Sequence, residues 1–300
     1  MHLGYVGLGK MGQAMVMRLL EKGHSVTVFD VDKKAVQKMA RKKGVTVAKS
    51  LKELAEDLKA PRTIWIMVPY ENVQGIISQL SPNLKARDTI IDGGNSFYQD
   101  SISRARKLSK RKINFLDVGV GGGPESTRKG ACLMVGGPKS QYKRYAKLFA
   151  DLSCKGGYGH VGESGAGHFV KMVHNGIEYG MMQAMAEGFA VMKAATYYSI
   201  DLKQVAGIYK NGSVIESHLM GCLENAYEEF GNDLTKVSGR ADETGGGRWT
   251  VKEAHKLGVF DRVIHTALNA RKKSQTRPSY EAQIIMALRS QFGGFDVKKK

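Results

Sequence analysis

The stretch Leu3-Gly4-Tyr5-Val6-Gly7-Leu8-Gly9-Lys10-Met11-Gly12 decides the predicted fold of this chain. Leu3–Gly7 has the pattern of a buried strand, and helical periodicity follows over residues 10–22. Glycines spaced as Gly-x-Gly-x-x-Gly between a strand and a helix allow a tight turn, close approach of a pyrophosphate and close helix–strand packing. The alternative is a glycine turn without a ligand. We predict that Gly7, Leu8, Gly9, Lys10, Met11 and Gly12 bind a dinucleotide, with the diphosphate held by N–H groups at the start of the helix.

An acidic residue, Asp30, directly follows the second predicted strand, Ser25–Phe29. A carboxylate about 20 residues past the loop accepts hydrogen bonds from the adenosine ribose hydroxyls and repels a 2′-phosphate. This favours NAD over NADP as the cofactor. Two alternatives stay open: Asp30 or Asp32 caps the next helix, and Lys33 or Lys34 reaches a 2′-phosphate.

The first half of the chain alternates short β-rich runs with helical segments. Such alternation predicts an α/β fold with a doubly wound parallel sheet of the Rossmann type. The predicted helices lie near residues 10–22, 33–43, 50–59, 71–80, 97–110 and 139–151. The predicted strands are Leu3–Gly7, Ser25–Phe29, Thr63–Val68, Asp88–Ile91, Ile113–Val118 and Ala131–Val135.

The second half has a different pattern. After the glycine-rich stretch 156–167 the strand signal disappears, and residues 168–295 have the pattern of successive helices. We therefore predict a boundary near residue 160, with a dinucleotide-binding Rossmann domain at 1–160 and an all-α substrate and dimerisation domain at 161–300.

Composition excludes several classes of protein. With 300 residues, 42% hydrophobic and 25% charged, the chain matches an ordinary globular protein rather than a disordered, collagen-like or disulfide-stapled one. Cys132, Cys154 and Cys222 form no Cys-x-x-Cys pair and suggest neither a disulfide framework nor a zinc site. A reducing, cytoplasmic compartment fits best. Because the sequence opens with a predicted strand, we expect no signal peptide, and because no apolar stretch is long enough, we expect no membrane span.

The chain is strongly basic. It carries 46 lysines and arginines against 28 aspartates and glutamates, a net charge of +18. An anionic partner, either nucleic acid or a phosphorylated metabolite, is one interpretation. The basic residues lie in separate segments without aromatic residues between them, so a solvated lysine-rich surface explains most of them better. We expect no nucleic-acid partner.

A polar stripe lies on an otherwise apolar predicted helix. Lys171, His174, Asn175 and Glu178 are spaced i, i+3, i+4 and i+7 and therefore share one helix face. An amine and a carboxylate two turns apart could act as base and acid at opposite ends of a small substrate. A lysine acts as a base near neutral pH only where burial or nearby cations depress its pKa. The alternative is the solvated face of an amphipathic helix.

Five blocks of sequence form a combined signature. They are Gly7-Leu8-Gly9-Lys10-Met11-Gly12, Ile90-Ile91-Asp92-Gly93-Gly94-Asn95-Ser96, Gly119-Val120-Gly121-Gly122-Gly123, the run from Gly167 to Gly180, and Gly247-Arg248-Trp249-Thr250. Together they resemble the decarboxylating 6-phosphogluconate dehydrogenases in their short form, which has a single helical domain. The resemblance covers nearly the whole chain, and the run from Gly167 to Gly180 is its most specific part.

This resemblance implies a reaction and a set of roles. Lys171 would accept the proton of the substrate's C3 hydroxyl as hydride passes to NAD or NADP, and would polarise the 3-keto group during loss of CO₂. Glu178 would protonate C1 of the enediol, giving ribulose 5-phosphate. No metal is needed, because the lysine ammonium stabilises the developing enolate. The resemblance also implies substrate contacts by Asn95, Gly122, Gly123, His174 and Asn175, phosphate contacts by Tyr179, Arg271 and Arg289, and cofactor contacts by Val68 and Asn95.

The resemblance further implies a homo-oligomer, either a dimer or a tetramer. In the family the C-terminal segment reaches a neighbouring subunit's site, so Arg289 would act in trans. Without the resemblance, a surface salt bridge would be the expected role of Arg271 and of Arg289.

Three positions depart from the family pattern. Gly121 stands where serine is usual, Gly246 where short forms commonly carry an acid, and Phe295 where histidine is common. These departures affect contacts with the substrate more than the reaction type, because the acid, the base and the cofactor loop are intact.

Two alternative functions stay open. The first is another β-hydroxyacid dehydrogenase, of the 3-hydroxyisobutyrate or tartronate-semialdehyde type, which works without a decarboxylating acid. The pairs His174-Asn175 and Glu178-Tyr179 and the run Asp92–Ser96 argue against it. The second is a basic nucleic-acid-binding module on a dinucleotide fold. Retention of Lys171 and Glu178 two helical turns apart argues against that reading.

Overall fold

The computed structural model describes residues 1–293 and residue 297. The chain divides into two compact units, Met1–Lys171 and Met172–Lys300. The division falls inside one long helix, Ala166–Ala194. The domain boundary near residue 160 stays a prediction.

The first unit is built on one eight-stranded sheet. Its strands are β1 (His2–Val6), β2 (Ser25–Phe29), β3 (Val45–Val47), β4 (Thr63–Ile66), β5 (Thr89–Asp92), β6 (Asn114–Gly121), β7 (Ala131–Gly136) and β8 (Ser153–Gly162). Their order is β3-β2-β1-β4-β5-β6-β7-β8, and all neighbours are parallel except β6 and β7. The predicted Rossmann-type α/β fold is confirmed.

Helices cover both faces of this sheet. Successive side chains of β1 point to opposite faces of the sheet and therefore pack in different cores. Leu3 and Tyr5 pack in one core with Met15, whereas Val6 packs in the other with Leu54. The helices are α1 (Lys10–Glu21), α2 (Lys33–Ala40), α3 (Leu51–Asp57), α4 (Tyr70–Leu80), α5 (Tyr98–Ser109), α6 (Pro124–Gly130), α7 (Lys139–Arg144) and α8 (Ala146–Leu152).

The sheet differs from the expectation in one pairing and in two extra strands. The pair β6 and β7 is antiparallel, because only residues 122–130 join them and a parallel crossover needs about a dozen residues or more. Strand β3 has only three residues. Strand β8 lies in the stretch where strand signal was expected to end. Its glycines have low β-propensity, and it pairs with β7 through an irregular register.

The second unit is helical over its described residues, which confirms the predicted all-α region. The long helix α9 (Ala166–Ala194) is followed by α10 (Leu202–Tyr209), α11 (His218–Phe230), α12 (Gly246–Leu257), α13 (Arg262–Ser274) and α14 (Tyr280–Gln291). Buried residues of these helices, among them Met182, Leu223 and Ile285, form one core. Among the described residues, no helix has both the length and the apolar character that a bilayer span requires.

A buried carboxylate fixes the start of α9. Asp117 lies on β6 and is fully buried. Its Oδ1 accepts a hydrogen bond from the N–H of Gly165 at 2.7 Å, and its Oδ2 accepts one from the N–H of His168 at 3.0 Å. These N–H groups have no intrahelical acceptor. A negative charge at the start of a helix also interacts favourably with the positive end of the helix dipole. Asp117 thus ties the helix that carries the polar stripe to the sheet.

We expect Asp117→Asn to destabilise the protein. The amide keeps the size of the carboxylate but must turn its NH₂ group toward one of the two backbone N–H groups. The loss should be about 2 kcal/mol in the free energy of unfolding, measured by urea denaturation. Asp100→Asn, at an exposed acid in the first turn of α5, serves as the matched control and should cost less than about 1 kcal/mol. Equal losses in both variants would contradict this role of Asp117.

Candidate active site

The glycine-rich loop joins β1 to α1 as predicted. Gly7 has φ +102°, a conformation that favours glycine, and a Cβ there would collide with the Met67 carbonyl. A Cβ at Gly12 would collide with the Gly7 carbonyl, so this glycine lets α1 pack closely on the strand. At Gly9, by contrast, a Cβ would meet nothing within 4 Å. Packing inside the protein therefore explains Gly7 and Gly12 but leaves Gly9 unexplained.

The start of α1 fits a dinucleotide phosphate. Gly9 is the residue before the first helical turn, and no side chain caps the helix there. The open space at Gly9 and the N-terminus of a 12-residue helix are what close approach of a pyrophosphate requires. Lys10 is exposed, whereas the side chains of Leu8 and Met11 belong to the core. Leu8 and Met11 could therefore face a ligand only through their backbone.

Asp30 lies beside this loop, as the sequence predicts. Its Oδ2 accepts a hydrogen bond from the N–H of Leu8, and its Oδ1 accepts one from the N–H of Asp32 at 2.7 Å. The cap of α2 is Asp32, whose side chain accepts from the N–H of Lys34. Asp30 therefore does not cap the helix. It joins the end of β2 to the glycine loop, where its remaining lone pairs could accept from a ribose.

A second loop follows β5 and carries Asn95. The buried Asp92 accepts hydrogen bonds from the N–H of Gly94 at 3.1 Å, from Ser96 Oγ at 2.9 Å and from Arg104 Nη1 at 3.2 Å. Arg104 Nη1 also donates to Ser96 Oγ at 2.9 Å. This network holds the loop from beneath and leaves Asn95 exposed.

Val68 lies between the two loops. A Cβ at Gly7 would come 2.9 Å from Val68 Cγ1, and a Cβ at Gly94 would come 3.0 Å from the Val68 carbonyl oxygen. The structure thus brings the predicted cofactor residues Gly7, Val68 and the loop of Asn95 to one edge of the sheet.

Lys171 lies against β6 in the same unit. A Cβ at Gly119 would collide with Lys171 Cβ and would lie 2.7 Å from the Gly167 carbonyl oxygen. Glycine at 119 therefore lets α9 approach the strand at the turn that carries the lysine. Burial raises the pKa of the Cys132 thiol, and the charge of nearby Lys171 opposes that shift. Lys171 itself is partly buried.

The glycine block Gly121, Gly122 and Gly123 follows directly. A Cβ at Gly121 would come 3.2 Å from Cys132 Cβ, so the serine usual in the family would need a small displacement of that residue. Gly122 has φ +91° and is exposed, and Gly123 precedes α6. Gly121 is buried against β7, where the cysteine fills the adjacent space.

Within the polar stripe of α9, Glu178 is more enclosed than the adjacent apolar residue Ile177. The side chain of Glu178 is 23% exposed, whereas Ile177 is 53% exposed. Asn175 is also partly buried, and His174 is exposed. His174 Nδ1 lies 3.2 Å from Asn175 Oδ1 and 3.9 Å from Glu178 Oε2. A purely solvated polar face would show the opposite order of exposure.

Two arginines are buried beside Tyr179. Arg271 and Arg289 are each 2% exposed, so the surface-salt-bridge alternative is wrong for both. The guanidinium of Arg271 lies 3.3 Å from the centre of the Tyr179 ring, and its Nε is buried without a hydrogen-bond partner. Arg289 Nη1 donates to the Asp242 carbonyl at 2.9 Å, and Arg271 Nη1 approaches the same oxygen at 3.5 Å.

Burial governs the charge of this arginine pair. It lowers the pKa of Arg271 to about 10, with the charge of Arg289 acting in the same direction, while Tyr179 and Glu178 oppose the shift. Burial likewise lowers the pKa of Arg289, opposed by Tyr179 and Glu178. Two like charges held side by side away from water favour an anion as their partner.

The position of Gly246 explains one departure from the family pattern. A Cβ there would lie 2.8 Å from both Cβ and Nδ2 of Asn175. The first turn of α12 therefore packs so closely on α9 that an acidic side chain could not be added without moving Asn175. Phe295, another departure, lies outside the described residues.

Several residues that support the site have no sequence motif that would identify them. Asp117 and Asp242 act through bonds to residues 48 and 47 positions away, and Arg104 supports the loop of Asn95 from α5. Only Asp92 lies within a quoted block, where its position directly after a predicted strand was an available signal.

The fold and the cofactor loop define the class of protein. A Rossmann sheet with a glycine-rich loop, followed by a helical region, is typical of NAD(P)-binding oxidoreductases. The family model for the NAD-binding domain of 6-phosphogluconate dehydrogenase matches residues 2–162, and the model for its C-terminal domain matches residues 167–284. The chain belongs to the 6-phosphogluconate dehydrogenase family.

Individual proteins agree with this assignment. A Haloferax volcanii protein, named NAD(+)-dependent, decarboxylating 6-phosphogluconate dehydrogenase, is 39% identical over 302 residues, covering 100% of this chain and 99% of its own length. The Plasmodium falciparum 6-phosphogluconate dehydrogenase structure is 28% identical with a TM-score of 0.82, covering 92% of this chain and 62% of its own. A Mycobacterium tuberculosis 3-hydroxyisobutyrate dehydrogenase shares the fold at 20% identity and a TM-score of 0.75, covering 96% of this chain and 99% of its own.

The different surroundings of the loop glycines give a test of the cofactor site. Gly9→Ala should keep the melting temperature, because its Cβ meets no protein atom, but should weaken dinucleotide binding on the order of 10-fold or more by obstructing the pyrophosphate. Gly12→Ala, the matched comparison, should lower the melting temperature, because its Cβ collides with the Gly7 carbonyl. Differential scanning fluorimetry and fluorescence titration with NADH measure the two effects. Undiminished NADH binding by Gly9→Ala would exclude the loop as the phosphate site.

Proposed function

We propose that this protein catalyses the oxidative decarboxylation of 6-phosphogluconate to ribulose 5-phosphate and CO₂, with NAD as the preferred hydride acceptor. The observation that carries the proposal is the buried pair Arg271 and Arg289 beside Tyr179, with Glu178 close enough to influence both charges. A phosphorylated sugar acid offers the anion that such a pair requires.

The phosphate of the substrate is assigned to the two guanidiniums. Each presents a planar fork of N–H donors that can bind phosphate oxygens in bidentate fashion. Arg271 Nε is buried without a protein acceptor, so the hydrogen-bonding capacity of this guanidinium is not used up by the protein. The Tyr179 hydroxyl accepts a hydrogen bond from the N–H of Thr244 at 3.1 Å and can donate its own proton to a phosphate oxygen.

The acid and the base are assigned to the two ends of the polar stripe. Lys171 takes the proton of the C3 hydroxyl, and its ammonium group then stabilises the negative charge that develops on the C3 oxygen as CO₂ leaves. Glu178 delivers a proton to C1 of the enediol. His174, Asn175, Asn95, Gly122 and Gly123 complete the proposed contacts with the hydroxyls and carboxylate of the substrate.

The cofactor is assigned to the glycine loop, Asp30 and Val68. The dinucleotide supplies the acceptor for the hydride from C3. The carboxylate of Asp30 next to Leu8 supports NAD over NADP, because it would repel a 2′-phosphate. The name of the Haloferax volcanii relative, which specifies NAD, supports the same preference.

Steady-state turnover of 6-phosphogluconate with both dinucleotides tests the proposal. We expect NADH, CO₂ and ribulose 5-phosphate in equal amounts, and a higher kcat/KM with NAD than with NADP. Lys171→Ala should lower kcat by about 10³-fold and Glu178→Gln by about 10²-fold, since each removes a proton-transfer group.

Matched controls lie on the same helix. Lys193→Ala and Glu187→Gln change exposed residues of α9 and should leave kcat within about twofold of the parent. Oxidation of a small 3-hydroxy acid without release of CO₂ would instead favour the 3-hydroxyisobutyrate type of dehydrogenase, whose fold this chain shares. Full activity of Glu178→Gln would remove the proposed acid.

The arginine pair gives a separate test. Arg271→Lys and Arg289→Lys keep a positive charge but lose the bidentate fork, so KM for 6-phosphogluconate should rise about 10-fold or more with a smaller change in kcat. Affinity for inorganic phosphate, measured as competitive inhibition, should fall in parallel, while affinity for NADH should not change. A loss of NADH affinity instead would contradict phosphate binding by this pair.

Mixed oligomers distinguish a site within one chain from one completed in trans. The trans role of Arg289 stays a prediction, and within one chain its guanidinium lies beside Arg271. Exposed apolar side chains such as Ile177, Met181 and Val263 support a homo-oligomer, whose mass sedimentation would measure. Chains with Lys171→Ala refolded together with chains with Arg289→Ala should regain activity only if Arg289 acts in trans. Recovery would support the trans role that the resemblance implies, and absence of recovery would assign Arg289 to the site of its own chain.

A further inference from the structure

Two histidines and an aspartate meet where α12 ends and α13 begins. His255 lies in the last turn of α12, Asp261 directly precedes α13, and His265 lies one turn into α13. One ligand atom from each residue lies within 4.8 Å of the other two. The His255 and His265 rings are 5.5 Å apart between centroids and are inclined at 63°. These residues are distinct from every residue assigned above to the substrate or the cofactor.

The carboxylate of Asp261 is not used as the sequence position would suggest. Aspartate before a helix normally accepts hydrogen bonds from the N–H groups of the first turn. Asp201 does so at the start of α10, accepting from the N–H groups of Lys203 and Gln204. Asp261 also directly precedes its helix but makes no such bond, and its backbone, with φ -129° and ψ 18°, is not in the extended conformation of Asp201. Its side chain points to His255 instead, with Oδ2 lying 3.3 Å from Nε2.

The Asp261 carboxylate is also buried and incompletely satisfied. Its side chain is only 10% exposed, and Oδ2 makes no hydrogen bond of good geometry although His255 Nε2 lies 3.3 Å away. A buried carboxylate oxygen without a well-formed hydrogen bond is costly unless a cation, either a protonated imidazole or a metal ion, compensates it. The two imidazoles beside it offer nitrogen ligands. Divalent transition metals bind such ligands well, whereas Mg²⁺ and Ca²⁺ prefer oxygen ligands.

The distances fit a tetrahedral ion. Ligand atoms about 2.0–2.1 Å from a tetrahedral Zn²⁺ lie about 3.3–3.4 Å from one another. The pair Asp261 Oδ2 and His255 Nε2, at 3.3 Å, already has this separation. The third ligand needs only a side-chain adjustment, because all three atoms lie within 4.8 Å and His265 is partly exposed. Two histidines and one carboxylate leave the fourth position for water.

We propose that His255, Asp261 and His265 form a structural binding site for a divalent transition metal of the Zn²⁺ type. The bound ion would join the end of α12 to the start of α13. These two helices also carry Gly246, against which Asn175 packs, and Arg271 of the buried pair. The metal would thereby stabilise the helix pair from its outer end and take no part in the reaction.

Metal titration of the complete chain tests the site. Tag-free, chelator-treated protein should bind one equivalent of Zn²⁺ in isothermal titration calorimetry, and saturating Zn²⁺ should raise the melting temperature by several degrees. Ca²⁺ at the same concentration should do neither, because the site offers nitrogen ligands. Substituted Co²⁺ should give the visible absorption of a tetrahedral site without a sulfur-to-metal band.

Substitutions assign the ligands. His255→Gln changes a half-exposed side chain and should weaken Zn²⁺ binding on the order of 10-fold or more, and His265→Gln should do the same. His2→Gln is the matched control, because His2 also lies near a carboxylate, Asp57 at 3.6 Å, but is not part of a cluster of three ligands. It should bind Zn²⁺ as the parent does.

The outcomes that would overturn the site are specific. Absence of Zn²⁺ binding by the folded parent, unchanged binding by His255→Gln, or a sulfur-to-Co²⁺ band from one of the three cysteines would each contradict it. If His265→Gln alone failed to fold, His255→Gln would still decide, because its exposed side chain is not part of the core.

Discussion

The attachment of α9 to the sheet is the constraint on which the candidate site depends. Asp117 accepts hydrogen bonds from two N–H groups at the start of the helix, those of Gly165 and His168. Gly119 has no side chain, which leaves the space for the helix to approach β6. Lys171 lies one turn beyond this anchor. Because a helix turns by a fixed angle per residue, Lys171, Asn175 and Glu178 follow one another along one face of this helix. One buried carboxylate thus fixes the start of the helix that carries Lys171.

Features of the fold that depend on neighbouring residues could be predicted from the sequence. The glycine loop, the position of Asp30 after β2 and the polar stripe of α9 are local patterns, and the structure has each in the predicted element. Features that depend on distant partners could not be predicted in this way. Strand β8 is rich in glycine, so its β-propensity is low and the sequence does not predict it. The antiparallel direction of β7 follows from the short connection after β6, not from the strand's own residues.

The candidate site divides along the same line. A basic residue such as Arg271 or Arg289 reads as a surface group in the sequence, because nothing adjacent shows that helices α13 and α14 bury both. The histidines 255 and 265 likewise escape a search for metal-binding spacing, since the turn between two helices, not a motif, brings them to Asp261. The sequence shows that Gly246 lacks the side chain common at this position. Only the structure gives the reason, which is the close contact with Asn175.

The buried arginine pair has a consequence for selectivity under the proposed function. Desolvation depresses the pKa of both guanidiniums, and the charge of Arg289 lowers the pKa of Arg271 further. A ligand that places a dianion between them removes both costs, whereas a small hydroxy acid carries a single carboxylate and no second anion to reach them. Under the proposed function, selection of a phosphorylated substrate would therefore rest on the helical unit, independently of the acid and base that carry out the reaction.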